Sequence, residues 1–219
     1  MMQITYLGHS CFLFESDAGV KLITDPYTRV GYELPSGLTA DVVLTSHGHF
    51  DHNYVQAIGR TPVVVDKAGK YSVCGIEIEG FNTWHDNAKG ALRGNNVIFT
   101  FTIDGITFCH FGDFGELDNN EILAKIASAD VWLIPVGGKY TIDAAQAVAY
   151  MENASPKLVI PMHYLPSDGA LDIAPIESFL EKVELKRIID CKNGIYHLDK
   201  AVLEENTDKI IFMERCNHA

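Results

Sequence analysis

The sequence has few positive charges for its length. Its 219 residues include 17 Lys and Arg against 29 Asp and Glu, which gives a formal net charge of −12 at pH 7. A nucleic-acid-binding surface needs clustered positive charge to displace counterions, so this composition argues against that class of function. We therefore expect no nucleic-acid partner.

Long apolar runs and targeting patterns are also lacking. No stretch approaches the roughly 20 apolar residues of a membrane span, and residues 1–6 contain no basic segment followed by an apolar one. The five cysteines are odd in number and form no CxxC pair, which is typical of a reducing compartment. These absences predict a cytoplasmic protein with no membrane partner.

The composition is otherwise that of an ordinary globular protein, with 47% hydrophobic and 21% charged residues. At this length a domain can bury roughly 70% of the surface of its unfolded chain, so a core can form without disulfides. No internal repeat, low-complexity stretch or linker interrupts the sequence. Residues 1–219 are therefore predicted to form a single domain.

Short β-rich runs dominate the first two-thirds of the chain, and helix and strand patterns alternate after them. The predicted strands of the first part are 11–14, 20–24, 41–45, 62–65, 73–78, 97–103 and 106–109. Asp104-Gly105 supplies the positive φ angles of a tight hairpin turn between the last two strands. The later predicted elements are helix 119–128, strand 131–136, helix 142–153 with Thr141 as its cap, strand 158–161 and helix 173–183. This order predicts an α+β protein with helices packed on mixed sheets.

A dense cluster of metal-binding residue types follows the predicted strand 41–45. Three histidines and one aspartate occur within six residues, as His47, His49, Asp51 and His52. Because alternate residues of an extended segment share a face, His47 and His49 can point to one side, with Asp51 and His52 facing the same cavity from the next element. Imidazole and carboxylate ligands suit zinc, iron or manganese, and the absence of cysteine favours a catalytic over a closed structural site.

The HxHxDH pattern formed by these four residues resembles the hallmark of the metallo-β-lactamase superfamily. Asp25, His85, Asp113 and His163 also match family motifs, which extends the resemblance over residues 4–164. Segments 6–10, 22–26 and 137–141 are similar to the branch that contains ascorbate-6-phosphate lactonase-like proteins. The resemblance implies an αββα sandwich, in which two mixed β-sheets are flanked by helices and carry the metals at one edge.

The resemblance further implies a dinuclear site with every ligand position filled. One metal ion would be held by His47, His49 and His85, and the other by Asp51, His52 and His163, with Asp113 bridging them. His110 is the alternative third ligand. We prefer His85, because it ends a β-rich run as a separate loop contribution, whereas His110 lies on the strand that leads to Asp113. His110 is then expected to contact the substrate or to support a ligand.

The implied activity is that of a dinuclear metal-dependent hydrolase of the lactonase or phosphodiesterase type. Two divalent metal ions, zinc first and manganese or iron as alternatives, would lower the pKa of a bridging water that attacks an ester, lactone or phosphodiester. Asp51 and His110 are the candidate proton-transfer groups. Two divalent metal ions, two aspartates and a hydroxide would together leave a charge of about +1 in the pocket. This local positive charge favours a small anionic substrate, although the chain as a whole is negatively charged.

Three residues outside the ligand set are candidates for contacting the substrate, namely His9, Arg93 and Lys139. His9 is either a packed turn residue or a group near the metals, and solvated loop charge is the alternative for Arg93 and Lys139. Asp25 is expected to orient a ligand or brace a strand end.

Two other functions remain open on the same fold. Diiron oxidoreductases of this superfamily have glutamate where this chain has His49, and they carry a flavin domain that this sequence lacks. A non-catalytic metal-binding protein would be expected to have lost some of the ligands retained here. Nuclease branches add a large insertion or an RNA-binding arm, and neither is evident. A small-molecule substrate is the expected partner, and self-association is left open.

Overall fold

The computed structural model describes residues 1–216, which contain fourteen β-strands and four α-helices. The strands are β1 (Met2–Gly8), β2 (Cys11–Glu15), β3 (Lys21–Thr24), β4 (Val42–Leu44), β5 (Val63–Val65), β6 (Gly69–Val73), β7 (Ile76–Trp84), β8 (Asn95–Ile103), β9 (Ile106–His110), β10 (Val131–Pro135), β11 (Leu158–Met162), β12 (Ile188–Cys191), β13 (Ile195–Leu198) and β14 (Lys209–Met213). The helices are α1 (Asn120–Ile126), α2 (Ala144–Ala154), α3 (Glu177–Leu180) and α4 (Lys200–Glu205). None of these helices is long and apolar enough to cross a membrane.

The strands form two mixed sheets. The first sheet has the order β13-β1-β2-β3-β4-β5, antiparallel as far as β3 and parallel from there. The second has the order β12-β14-β11-β10-β9-β8-β7-β6, antiparallel from β6 to β9 and parallel through the remaining strands. The predicted α+β sandwich of two mixed sheets is confirmed.

Aromatic side chains hold the two sheets together. The ring of Phe14, on β2, lies 5.1 Å from that of Phe101, on β8, and 5.0 Å from that of Phe108, on β9. All three are fully buried in one apolar cluster that takes residues from both sheets. Burial of each such ring contributes roughly 1.5–3 kcal/mol. This packing fixes the relative position of the loops that leave the two sheets.

The outer face of the first sheet is covered by irregular chain. Within residues 1–216 its apolar side chains, such as Leu13 and Val43, form a second cluster with Tyr27, Val30 and Leu38 from the β3–β4 connection. No α-helix forms in this connection, which contains Gly31, Pro35 and Gly37 and therefore opposes helical backbone. The helices α1 to α4 contribute their buried residues to the larger cluster instead.

Most predicted elements of the first part are present, but the strand predicted over 73–78 is wrong. β6 ends at Val73 and β7 begins at Ile76, and between them Cys74 and Gly75 turn with φ angles of 51° and 79°. The apolar run therefore spans a hairpin, because Gly75 supplies a positive φ that the β-rich composition conceals. The hairpin predicted at Asp104-Gly105 is confirmed, with φ angles of 49° and 74° between β8 and β9.

Two helix predictions also need correction. The predicted helix 173–183 shortens to α3, which begins only after Pro175. The cap of α2 is Asp143 and not Thr141, because the Asp143 carboxylate accepts from the backbone N–H of Gln146 while the Gln146 side chain accepts from the Asp143 N–H. That reciprocal pair is a capping box, which satisfies two N–H groups that the first helical turn leaves open.

Candidate metal centre

The candidate residues lie on loops that follow strands running in one direction within each sheet. His9 follows β1, Asp25 follows β3, and the cluster that begins at His47 follows β4. In the second sheet His85 follows β7, Asp113 follows β9 and His163 follows β11. Ends of equally directed strands meet at one edge of a sheet, so the fold brings residues far apart in sequence to a single place.

Three histidines form the first group of donors. Ligand atoms of His47, His49 and His85 all lie within 4.8 Å of one another. The His85 Nδ1–H donates to the carbonyl oxygen of Tyr140 at 3.0 Å, and the His47 Nδ1–H donates to the hydroxyl of Ser46 at 2.9 Å. In His47 and His85 the Nδ1 is therefore held by an outer partner, and Nε2 is the nitrogen left for a metal ion.

A second group contains His9, Asp51, His52 and His163, whose ligand atoms also lie within 4.8 Å of one another. The His9 Nε2 is 3.2 Å from the Nε2 of His52 and 3.4 Å from the Oδ2 of Asp51. Donors placed about 2.1 Å from one ion at tetrahedral angles lie about 3.4 Å apart. The spacing of this group therefore fits ligation of one cation.

Asp113 joins the two groups. Its Oδ2 lies 3.1 Å from the Nε2 of His85, and its Oδ1 lies 3.1 Å from that of His52 and 3.3 Å from that of His163. The His47 Nε2 is 3.9 Å from the same carboxylate. One carboxylate oxygen thus faces each group, which is the arrangement that a bridging ligand requires.

The residues present fit divalent metal ions. Within residues 1–216, the buried His47 Nε2 has no hydrogen-bond partner, and a buried polar atom without a partner is costly. His47 lies within 4.8 Å of the ligand atoms of His49 and His85 and, on its other side, of those of His52 and Asp113. Imidazole nitrogens with two carboxylates are the donors that zinc, manganese and iron accept.

Burial keeps most of the cluster in the protonation state that metals need. It lowers the pKa of His47 well below its usual value, helped by His52, and it lowers the pKa of His49 together with the neighbouring His85. Burial also lowers the pKa of His9 to about 4, with His163 adding to the effect. Neutral imidazole is the form that binds a metal ion.

The carboxylates stay ionised although they are buried. Burial alone would raise the pKa of Asp113, but the imidazoles of His163 and His52 hold it well below its ordinary range. For His52 burial acts in the opposite direction, and the carboxylates of Asp113 and Asp25 overcome it and raise its pKa. The buried charges are therefore paired, as burial in low dielectric requires.

Asp25 lies beneath the cluster and organises it. Its Oδ1 accepts from the backbone N–H of Ser46 at 2.7 Å, and its Oδ2 accepts from the Ser46 hydroxyl at 2.7 Å, from the His52 Nδ1 at 2.8 Å and from the His110 Nε2 at 2.8 Å. The carboxylate is fully buried. In this position Asp25 can orient the His52 imidazole through its Nδ1.

The structure separates the two alternatives for the third ligand by position. His85 lies in the first group and faces Asp113, whereas His110 lies behind Asp25, is fully buried and is absent from the wall of the adjacent cavity. The geometry therefore gives no support to a proton-transfer role for His110. Its place beside Asp25 suits support of a ligand instead.

Strained backbone occurs at three of these positions. His9, Asp25 and His163 have φ angles of 53°, 37° and 53°, a region that residues other than glycine seldom adopt. The His163 N–H donates to the carbonyl oxygen of His9 at 2.9 Å, and the Tyr6 hydroxyl donates to the same oxygen at 3.0 Å. These hydrogen bonds hold the loops of His9 and His163 in their strained conformations. Backbone strain of this kind is often found at functional sites.

Gly112 precedes Asp113 at a close approach of two loops. A Cβ there would lie 2.3 Å from the Ser46 Cβ and 2.4 Å from the Asn96 Oδ1, and the φ angle is +55°. The Asn96 side chain accepts from the Asp113 N–H at 2.9 Å. Any larger residue at position 112 would clash with Ser46 and Asn96 and disturb the backbone that carries Asp113.

A cavity of about 330 Å³ opens beside the cluster. Its wall contains four cluster residues together with Phe50, Arg93, Tyr140 and Leu171. Of the predicted substrate contacts, Arg93 lines this cavity, and His9 lies within the second donor group. Lys139 instead pairs with the carboxylate of Asp172 on the exposed surface.

Sequence reasoning missed several residues that shape this site. Asn96 holds the Asp113 backbone, the Tyr140 carbonyl fixes His85, and Phe50 and Leu171 supply apolar wall. Tyr140 lies within the segment that resembles the lactonase-like branch. It contacts His85 through its backbone carbonyl, which every residue has, so the sequence cannot reveal this contact. Asn96 belongs to the polar pair Asn95-Asn96 that opens β8, which is a local signal in the sequence.

Comparisons with known proteins define the family. Residues 3–163 match a family model described as a beta-lactamase superfamily domain. A protein of Carboxydothermus hydrogenoformans, named UPF0173 metal-dependent hydrolase, is 32% identical over 192 residues, which cover 74% of this chain and 84% of the relative. A relative with the same kind of name from Methanosarcina barkeri is 29% identical over 227 residues, which cover 88% of this chain and 96% of that one.

A solved structure agrees with these relatives. The crystal structure of a candidate Zn-dependent hydrolase of the metallo-β-lactamase superfamily from Thermotoga maritima has a TM-score of 0.79 and 32% identity, and the match covers 98% of this chain and 99% of that chain. The family model, the sequence relative and the solved structure agree with the two-sheet fold and its edge cluster. This chain therefore belongs to the metallo-β-lactamase superfamily.

Proposed function

We propose that this protein is a metal-dependent hydrolase that holds two divalent metal ions and cleaves an ester, lactone or phosphodiester bond. The observation that carries the proposal is the convergence of four imidazoles within 4 Å of one buried carboxylate, Asp113. The relatives named metal-dependent hydrolases support the same reading.

Each donor group would hold one ion. The first would be held by His47, His49 and His85, and the second by Asp51, His52 and His163, with Asp113 between them. Zinc is the first candidate for both positions, and manganese or iron are the alternatives. When bound, such ions lower the pKa of a coordinated water and polarise the oxygen of the bond under attack.

His9 adds a further donor to the second group. Its Nε2 lies 3.2 Å from the His52 Nε2 and 3.4 Å from the Asp51 Oδ2, and its ring lies 4.3 Å from that of His163. The hydrogen bond from His163 to its carbonyl fixes the two residues relative to each other. We therefore place His9 among the residues that hold the second ion.

Other side chains prepare the pocket for the reaction. Asp51 lies in the cavity wall with part of its carboxylate accessible, so it can accept a proton at Oδ2. Phe50, Tyr140 and Leu171 line the same cavity, where a bound substrate would displace water and so strengthen the electrostatic interactions inside it. The cytoplasmic location expected from the composition remains part of this proposal.

Metal content measured by elemental analysis tests the proposal directly. Protein purified without chelators or a histidine tag is expected to hold close to two metal ions per chain, and Asp113→Ala is expected to hold one or fewer. Hydrolysis of a panel of simple lactones, aryl esters and phosphodiesters should fall at least about 100-fold in the same variant. Asp190→Ala, which removes an exposed carboxylate on β12, is the matched control.

Two results would contradict the proposal. Zero or one metal ion in the native chain, unchanged by Asp113→Ala after zinc, manganese and iron are supplied, would exclude the dinuclear site. Two bound ions with no hydrolysis of any panel member under any of these metals would favour a non-catalytic metal-binding protein.

A further inference from the structure

We infer that Arg93 forms an anion-binding subsite in the cavity beside the metal centre, so that the substrate carries a carboxylate or phosphate group attached to a small apolar body. This inference rests on the proposed function, because it specifies the substrate of the same site. It is carried by the construction of the loop that bears Arg93, by the surroundings of the guanidinium and by its lack of a carboxylate partner.

The loop that bears Arg93 is built around the carboxylate of Asp86. The Asp86 Oδ1 accepts from the backbone N–H groups of Ala88 at 2.7 Å and Gly90 at 3.0 Å. Its Oδ2 accepts from those of Leu92 at 3.0 Å and Arg93 at 2.8 Å. Asp86 is only 3% exposed, so these four bonds form away from competing water.

The same loop is attached to a candidate metal ligand. Asp86 directly follows His85, and the His85 N–H donates to the carbonyl oxygen of Gly94 at 3.1 Å, which closes the loop immediately after Arg93. The backbone of Arg93 is therefore fixed relative to the first donor group.

The side chain of Arg93 extends over the ring of Tyr140. Its guanidinium carbon lies 5.4 Å from the ring centroid, within the range of a cation–π interaction. The carbonyl of Tyr140 accepts from the Nδ1–H of His85, so one residue supports both the guanidinium and the ligand. Arg93 and Tyr140 line the cavity together with Phe50 and Leu171.

The charge of Arg93 has no acidic partner among residues 1–216. This differs from Arg187, which pairs with Glu152 at 2.8 Å and Asp208 at 2.7 Å, and from Arg215, which pairs with Asp168 at 2.6 Å. In a chain with a net charge of −12, a partly buried guanidinium without a carboxylate is conspicuous. Its planar fork suits two parallel hydrogen bonds to a carboxylate or phosphate.

The other predicted cation, Lys139, also lies near the Tyr140 ring, with its ammonium 5.7 Å from the centroid, but it differs from Arg93 in its partner and its exposure. Lys139 is exposed, and its ammonium pairs with Asp172. Its charge is therefore already offset on the surface, and it lies outside the wall of the cavity. The two loop cations that the sequence made equivalent are thus distinguished by their surroundings.

The test compares Arg93→Gln with Lys89→Gln. Lys89 belongs to the same loop, is exposed and lies outside the cavity wall, so its replacement removes the same charge from the same segment. Arg93→Lys is the third variant, since it keeps the charge but loses the planar fork. Circular dichroism and urea unfolding establish that all three variants fold.

The first measurement uses two ester substrates that differ in charge, 4-nitrophenyl acetate and mono-(4-nitrophenyl) succinate, with metal-loaded protein. Arg93→Gln is expected to lower kcat/KM for the anionic ester at least about tenfold, mainly through KM, and to leave the neutral ester within about twofold. Arg93→Lys should recover part of the loss. Lys89→Gln should resemble the wild type with both esters.

The second measurement does not depend on activity. Metal-free protein is titrated by calorimetry with benzoate and with phenylphosphonate, and benzamide is the neutral probe. The wild type and Lys89→Gln are expected to bind at least one of the anions more tightly than Arg93→Gln does, and the preferred anion identifies carboxylate or phosphate as the recognised group. Equal binding by Arg93→Gln and Lys89→Gln, or no anion binding by the wild type, would overturn the inference.

The two measurements keep the proposals distinct. If the metal-loaded wild type hydrolyses neither ester, the result counts against the proposed hydrolase, while the titration still tests the subsite. If both esters are hydrolysed and Arg93→Gln affects them equally, the hydrolase stands and the anion-binding role of Arg93 fails.

Discussion

Asp25 shows how one residue outside the donor groups controls the metal centre. Its carboxylate accepts from His52, His110 and Ser46, and Ser46 in turn accepts from His47. With their Nδ1 atoms held, His47 and His52 direct Nε2 toward Asp113. Outer partners of this kind set the orientation and basicity of metal ligands.

Asp25→Asn is expected to weaken metal binding by about 10- to 100-fold, because the amide cannot hold the His52 imidazole with a charge. Asparagine tolerates the positive φ of this position, so the backbone should be retained. Removing one partner of a buried charged network should also lower the free energy of unfolding of the metal-free protein by roughly 3–5 kcal/mol. A chelator competition titration and urea unfolding measure the two effects.

Asp190→Asn is the control for this prediction, since its carboxylate is exposed and lies far from the cluster in the fold. It should change neither quantity appreciably. Unaltered metal affinity in Asp25→Asn would mean that the histidines are oriented without this carboxylate.

At the scale of elements, the start of α2 supports the loop that carries Tyr140. The capping box of Asp143 and Gln146 fixes the first turn, and the Gly138 N–H donates to the carbonyl oxygen of Ile142 at 3.3 Å just before it. The Tyr140 carbonyl within this loop holds His85. The start of α2 and the first donor group are therefore connected through the loop that carries Tyr140.

Asp143→Ala is expected to lower the free energy of unfolding by about 1 kcal/mol, because the backbone N–H of Gln146 loses its acceptor. Gln146→Ala should cost less, since it removes only the reciprocal bond to the Asp143 N–H. Urea unfolding of the metal-free proteins measures both. A larger loss in Gln146→Ala than in Asp143→Ala would contradict the assignment of the cap.

At the scale of the whole molecule, the contact between the sheets brings the two halves of the site together. Phe14 packs edge-on against Phe101 and Phe108, which stack on each other in the opposite sheet. The first sheet carries the loops of His47 and Asp25, and the second carries those of His85 and Asp113. A shift between the sheets would therefore separate His47 and Asp25 from His85 and Asp113.

Phe14→Ala is expected to lower the free energy of unfolding by roughly 3–5 kcal/mol, because the lost ring leaves a cavity between the sheets. Phe14→Leu should lose less, since much of the volume is retained. Leu185→Ala, at a side chain that is 83% exposed, is the control and should stay within about 0.5 kcal/mol of the wild type. Urea unfolding is the measurement, and a loss below 1 kcal/mol in Phe14→Ala would show that the sheets pack without this ring.

Local sequence patterns predicted the elements whose signals lie in adjacent residues. The hairpin at Asp104-Gly105 and the buried strands β4, β10 and β11 have such signals in their turn residues and apolar runs. Strands β12, β13 and β14 were not predicted, because their runs are short and several of their side chains are only partly buried. The hairpin at Cys74-Gly75 was missed because apolar residues continue on both sides of the turn.

The sequence by itself determined the kind of chemistry, because the His47–His52 segment places several metal donors within one short loop. The sequence left His85 and His110 as alternatives for the third ligand, with His85 preferred. It treated Arg93 and Lys139 as equivalent candidates for contacting the substrate. Only the tertiary structure placed His110 against Asp25, 85 positions away, and left Arg93 without an acidic partner in the described chain. Local patterns specify residue types and backbone turns, whereas distances between remote loops depend on how the two sheets pack.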